Sequence, residues 1–175
     1  MARPIDYRCP LPFPAARTAA AMGDADYLRA RLDKLGGPGA ALLEHDADGP
    51  RVRYRLRQGL DAELLPQVVR NMVGGNLVLE RTETIEPDGA GYRGTVDVHV
   101  PRIPVPVTAG GTMTLRDAQR TSELGGSEFA VRAEVSVGVP LVGGRIEKIV
   151  AEQVGRLMAA ETEFLRHWLE SQPPS

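Results

Sequence analysis

Thiols are scarce in this chain. Cys9 is the only cysteine among 175 residues, which excludes an internal disulfide and a cysteine-based metal site and makes a reduced, cytoplasmic setting the expectation. The N-terminal segment Met1-Ala2-Arg3-Pro4-Ile5-Asp6 has no apolar run of signal length, and no later stretch approaches the roughly 18 apolar residues that a membrane span requires. A soluble, non-exported chain without a transmembrane segment is expected. Lysine is nearly absent, with Lys34 and Lys148 set against nineteen arginines. That imbalance reads as a coding bias toward G+C-rich codons and says little about mechanism. No sign of charge dominates either. The 21 bases and 23 acids leave a formal net charge of −2, which argues against holding nucleic acid or an anionic membrane by bulk charge, though a local basic patch is compatible with it.

Several chemical signatures are missing as well. His45, His99 and His167 lie on different elements, His99 and His167 on polar faces, and no pair has ligand spacing, so no metal site is expected. Gly36-Gly37-Pro38-Gly39 lacks the lysine and the strand-to-helix context of a phosphate loop and reads as a helix stop followed by a turn. A nucleophile elbow is absent. No cofactor is implied. With no internal repeat, low-complexity tract or linker, and with 42% hydrophobic and 25% charged residues, one globular domain over residues 1–170 is expected, followed by a disordered tail, Ser171 to Ser175.

What the chain does have is periodicity. From Pro140 to Gln172, Ile146, Val150, Val154, Leu157, Leu165 and Trp168 recur at three- and four-residue steps, with Glu147, Lys148, Glu152, Arg156, Glu163 and Arg166 between them. That spacing predicts one long helix with a single apolar stripe, opened by Gly143-Gly144 and closed by Pro173-Pro174. Such a stripe needs a surface of matching length, since each Å² left in water forfeits roughly 25 cal/mol.

The upstream sequence supplies that surface as strands. Ile5 to Leu11 reads as a first strand, Phe13-Pro14 starts a short alanine-rich helix to Met22, and Asp24 caps a second whose stripe is Leu28, Leu32 and Leu35. Ala40 to His45, Arg51 to Arg57, Asn76 to Ile85, Tyr92 to Val100, Val105 to Leu115 and Phe129 to Val137 read as six more strands, with Asp46-Ala47-Asp48-Gly49 as a turn. Val52, Tyr54 and Leu56 face inward against Arg51, Arg53, Arg55 and Arg57, a row that could bind an anionic surface but is expected to be a solvated outer face paired with carboxylates such as Asp97. Two stretches interrupt the sheet. Leu60 to Gly75 reads as a short amphipathic helix or apolar loop at the rim, a candidate lid, and the prolines of Pro101 to Pro106 predict a bend or edge. Arg116 to Ser127 reads as a long turn.

The resulting order, strand, two short helices, six antiparallel strands and one long helix, is an α+β arrangement that resembles the helix-grip fold of the START-like (SRPBCC) superfamily, which includes birch-pollen-allergen relatives, lipid-transfer domains and polyketide cyclases. The likeness covers almost the whole chain. Its most specific part is Val135-Ser136-Val137-Gly138-Val139-Pro140-Leu141-Val142-Gly143-Gly144-Arg145-Ile146-Glu147-Lys148-Ile149-Val150, with early support from Phe13-Pro14 and from Asp26-Tyr27-Leu28 with Arg31. It looks most like an actinobacterial branch defined as a domain of unknown function. The resemblance implies a seven-stranded curved antiparallel sheet around the C-terminal helix, with an apolar cavity between them for lipids, sterols, polyketides or similar ligands. It carries no universal catalytic motif, so no catalytic residue is assigned.

Inward polar residues are the informative ones. Gln153 and Glu161 fall within the apolar stripe of the long helix, and the alternation Leu77, Leu79, Ile85 carries Arg81 and Glu83 inward. One reading is that these groups orient a ligand's carboxylate or hydroxyl. The competing reading is that a bulge reverses the strand and that Glu161 reaches the rim with its head in water. Tyr54, Leu56, Tyr92, Val96, Val98, Val131, Val135, Val154 and Leu157 complete the expected lining, with Leu79 beside Arg81. Three functions follow as alternatives: carriage of a hydrophobic small molecule; a cyclase or hydrolase using Glu161, Glu83 or Arg81; or a protein-interaction module with a filled core. The fold analogy favours the first.

Overall fold

A computed structural model describes residues 2–118 and 125–173. The chain opens with β1 (Arg3–Leu11), α1 (Ala15–Met22) and α2 (Ala25–Leu35). It continues through β2 (Ala41–Asp48), β3 (Arg51–Leu60), a 3-10 turn (Ala62–Leu64), α3 (Gln67–Val73) and β4 (Leu77–Asp88). β5 (Gly91–His99), β6 (Val107–Asp117), β7 (Ser127–Val137) and α4 (Gly143–Ser171) complete it. All seven strands join one antiparallel sheet in the order β1-β7-β6-β5-β4-β3-β2. The element order expected from periodicity, and the helix-grip arrangement that the resemblance implies, are those observed. Residues 119–124 of the turn expected over Arg116 to Ser127, and the end of the expected tail at 174–175, lie outside the described residues.

Local chemistry explains the early elements. Asp24 caps α2, its Oδ1 accepting from the backbone N–H of Asp26 at 3.0 Å and of Tyr27 at 2.9 Å. α1 has no such cap of its own, and Asp117 at the end of β6 accepts the Ala15 N–H at 2.7 Å instead. The β2–β3 hairpin is tighter than its sequence suggests. Asp46, Ala47 and Asp48 extend the ladder opposite Arg53, Val52 and Arg51, leaving Gly49-Pro50 as the turn, with Gly49 at φ +58°. Cross-strand pairing of opposite charges favours this extension over the looser turn. The arginine row on β3 is paired, as expected, but with Glu44 of β2 and with Glu80 and Glu86 of β4, not with Asp97. Arg57 donates to the Gly39 carbonyl.

α4 runs along β1 and β7 and meets α1 and α2. The core divides into two clusters along this helix. One gathers Tyr27, Leu28, Tyr54, Leu56, Ile85, Leu115, Leu165 and Leu169, with Phe164 and Trp168 packed round the Tyr27 ring. The other, at the opposite end, gathers Ile5, Val69, Val135, Val137 and Ile146, which brings Val69 of α3 into one cluster with the start of α4. Glu147 fastens that junction: its buried Oε1 accepts the Val137 backbone N–H at 2.9 Å where β7 gives way to the helix.

Candidate functional site

Inward positions on adjacent strands form rows across the sheet. One row holds Leu56, Arg81, Val98, Ala109 and Val135; the next holds Tyr54, Glu83, Val96, Gly111 and Ala133. β4 pairs with both neighbours in unbroken register, so no bulge turns Arg81 and Glu83 outward. Glu161 is 7% exposed and lies inside rather than at the rim. The two alternatives that the sequence left open are thereby separated.

A buried charge network results. Arg81 Nη1 donates to Glu161 Oε1 at 2.8 Å and to Gln58 Oε1 at 3.0 Å, and its Nη2 lies 2.6 Å from Glu83 Oε1. Tyr54 OH donates to the other oxygen of Glu83 at 2.8 Å. From α2, Arg31 brings its Nη1 to 3.7 Å from Glu161 Oε2, and its guanidinium lies 5.7 Å from the centre of the Tyr27 ring. Arg31 is 5% exposed, and its Nε and Nη2 are buried without a hydrogen-bond partner. Two guanidiniums thus face two carboxylates, with two N–H-bearing nitrogens of Arg31 left over.

Electrostatics follow from this packing. Burial pushes the Glu161 carboxyl up, but the Arg31 and Arg81 charges and the hydrogen bonds from Arg81 and Gln58 reverse the effect, leaving it below the ordinary carboxylate range. Burial pushes the Arg31 and Arg81 guanidiniums down, and Glu161 leads the charges that reverse this and raise both. Tyr27 is pushed up to about 12, mainly by burial. Tyr54 is raised well above its usual range by burial and then by the Glu83 charge. Both tyrosines stay neutral, Tyr54 as the donor to Glu83, while Glu161 stays ionised.

Around this network the expected lining divides. Tyr54, Leu56, Val131 and Val135 are buried in the closed core, and Tyr92 packs half-buried against it. Leu79, Val96, Val98 and Leu157 are half-buried and belong to neither packed cluster, whereas Val154 is half-buried against the α3 end. Gln153 is exposed and stands apart from Arg81 and Glu161. In the middle of the sheet, on the face turned toward α4, Ala109, Gly111 and Ala133 are only half-buried. Ala109 and Ala133 pack against the core clusters, yet their small side chains leave this part of the sheet incompletely covered. One open depression lies beside Asp97, His99, Thr108 and Glu134 and is lined also by Val98 and Ala109, and another lies beside Arg8, Thr112 and Arg132.

Three polar residues of this interior were not among the expected lining. Arg31 follows Tyr27 by four residues and adjoins Leu32, so helical spacing alone puts it on the buried face. Gln58 continues the inward alternation of Tyr54 and Leu56. Thr162 lies four residues after Met158 and three before Leu165, so the stripe of α4 carries it inward as well. Its hydroxyl donates within α4 to the Met158 carbonyl at 2.9 Å, which leaves Tyr7 OH as the donor in their 2.6 Å contact.

Comparison with known proteins bears on the fold. The chain belongs to the family described as "Protein of unknown function (DUF2505)", whose profile matches residues 6–169. An uncharacterized protein of Mycobacterium tuberculosis (strain ATCC 25618 / H37Rv) is 26% identical over 151 residues, covering 83% of this chain and 84% of that protein. The aromatase/cyclase ZhuI from Streptomyces sp. R1128 superposes with a TM-score of 0.61 at 14% identity, over 97% of this chain and 94% of that one. TTHA0849 from Thermus thermophilus gives 0.60 at 15% identity over 97% and 98% of the two chains. Ara h 8.0201 gives 0.57 at 14% identity over 98% and 100%. The fold is START-like. None of the described helices is long and apolar enough to cross a membrane.

Proposed function

We propose that this member of the family binds and carries a hydrophobic small molecule, lipid-like, sterol-like or polyketide-like, in the seam between the inner sheet face and α4, beneath α3. The observation that carries the reading is the half-burial of Ala109, Gly111 and Ala133 at the centre of the sheet, opposite the half-buried Val154 and Met158. A sheet and helix that filled each other would bury these positions, and apolar surface left open at such a place favours an apolar occupant. Leu79, Val96, Val98 and Leu157 extend the same apolar wall.

The polar end of the ligand follows from charge balance. Arg31 and Arg81 are already matched in number by Glu83 and Glu161, yet Arg31 Nε and Nη2 lack acceptors. A neutral hydroxyl or carbonyl oxygen satisfies them without adding an uncompensated buried charge. Binding is favoured over acid/base turnover for a related reason. A general base works best near the working pH, whereas Glu161 is held below the ordinary carboxylate range and Tyr54 well above the ordinary phenol range.

Native mass spectrometry of gently purified protein, followed by organic extraction, tests the reading. The expected result is a stoichiometric apolar adduct that Val154→Trp lacks while keeping its folded spectrum. An apo mass together with no uptake of an apolar fluorescent probe, in wild type and variant alike, overturns it in favour of a filled core.

A further inference from the structure

We infer that the α3 end of the molecule docks peripherally on an anionic lipid surface, with Leu141 as the inserted side chain. Four structural segments meet at this end: the β3–β4 connection carrying α3, the Pro101–Pro106 bend, the start of α4 and the first residues of β1. Gly138 N donates to the Pro106 carbonyl at 2.8 Å, which ties the β7–α4 loop to the proline bend. Val69 of α3 packs with Val137 and Ile146 on the same side.

Leu141 projects from this surface. It is fully exposed at 106% and the one large hydrophobic residue so exposed among the described residues. Its φ is +69°, a left-handed conformation that leucine adopts only at a conformational cost. Arg102, in the neighbouring bend, is held likewise at φ +61°. The fold therefore strains two non-glycine residues and presents an apolar tip beside a cation.

Charge gives the partner. Most arginines elsewhere are matched, Arg8, Arg51, Arg53, Arg55, Arg93 and Arg116 each having a carboxylate partner. Around Leu141, Arg102, Arg145 and Lys148 are exposed and form no ion pair among the described residues. Arg70 on α3 is exposed too and donates only to Gln67. Of the carboxylates toward this end, Asp97 and Glu134 lie on the outer sheet face beside His99 and Thr108, Asp61 and Glu63 lie over on the β3 side, Glu152 stands a turn farther along α4 than Lys148, and Glu147 is buried. An apolar tip on an end of the molecule that carries unpaired cations matches the interfacial layer of a bilayer bearing anionic headgroups. The net charge of −2 restricts this attraction to one face. Docking here would bring the α3 side of the seam to the membrane, but the inference stands on surface residues and does not depend on the seam being occupied.

Sedimentation of the full chain with vesicles tests it, comparing pure phosphatidylcholine with phosphatidylcholine containing about one third phosphatidylglycerol, at low and raised salt. Wild-type protein is expected to sediment with the anionic vesicles only, and less so at raised salt. Leu141→Ser and the pair Arg102→Gln, Lys148→Gln should each weaken binding by about tenfold at low salt. All these positions are exposed, so unchanged thermal unfolding separates lost docking from lost folding. Equal partition onto both vesicle types, or variants that sediment like wild type, overturns the proposal. So does the absence of any vesicle binding, which would leave the patch to a protein partner. Val154→Trp should dock normally, which keeps this outcome distinct from ligand uptake.

Discussion

Arg81 of β4 and Glu161 of α4, 80 residues apart, meet inside the protein with Nη1 and Oε1 at 2.8 Å, and this contact ties the inner sheet face to the gripping helix. Arg31 approaches the other oxygen of the same carboxylate from α2. Three separately folded elements thus depend on one buried carboxylate.

Truncating one member is therefore expected to cost more than the pair contributes. Arg81→Met leaves Glu83 partly uncompensated, and Glu161→Leu leaves two guanidiniums facing each other. Each should destabilise by about 3–5 kcal/mol in urea unfolding, whereas the double variant should recover much of the loss. Additive single effects would mean that the two side chains are not coupled.

Acid should weaken the same contact. Glu161 has a folded pKa below its unfolded value, so its contribution is complete above the ordinary carboxylate range. It disappears as pH falls through the folded value, because the unfolded chain takes up the proton first. Unfolding free energy measured against pH should fall more steeply in wild type than in Glu161→Gln across that interval. Parallel curves would assign the acid limb to other carboxylates.

Closing the seam from the sheet side provides a test independent of Val154. Val98 stands opposite Arg81 on β5 and is half-buried in neither packed cluster. Val98→Trp should remove uptake of an apolar probe while lowering stability by less than about 1–3 kcal/mol, the range for overpacking a filled site. A larger loss of stability with uptake unchanged would show that the position was already filled.

The start of α4 should be sensitive at Glu147. Replacing it with alanine strands the buried Val137 N–H, at a cost of about 1–3 kcal/mol, while glutamine keeps an acceptor and should recover part of that. Thermal unfolding of the two variants distinguishes a lost acceptor from a lost charge, since a charge effect would make them equal.

Asp24 provides a local comparison. Asp24→Ala removes the acceptor for two N–H groups at the head of α2 and should cost about 1 kcal/mol. An unchanged midpoint would indicate that tertiary packing of Tyr27 and Leu28 alone sets that helix terminus.

Periodicity by itself determined the element order, the long C-terminal helix and the inward faces of the strands, because a period of two or of 3.6 is a local property that burial imposes on each segment. Alternation also turned Arg81 and Glu83 inward, and the helical stripe carried Glu161. Only the tertiary structure decided between burial and the rim for these charges, since a buried ion is tolerable only when another segment brings its partner. Arg31, on a helix 50 residues upstream of Arg81, supplies part of that compensation. Gln153 shows the converse: it shares the stripe in sequence but ends exposed, one residue before the half-buried Val154, so it lies on the solvent side of the helix. The extent of the hairpin at Asp48, the seam over Ala109, Gly111 and Ala133, and the projection of Leu141 all depend on how distant surfaces meet. No local pattern encodes those distances.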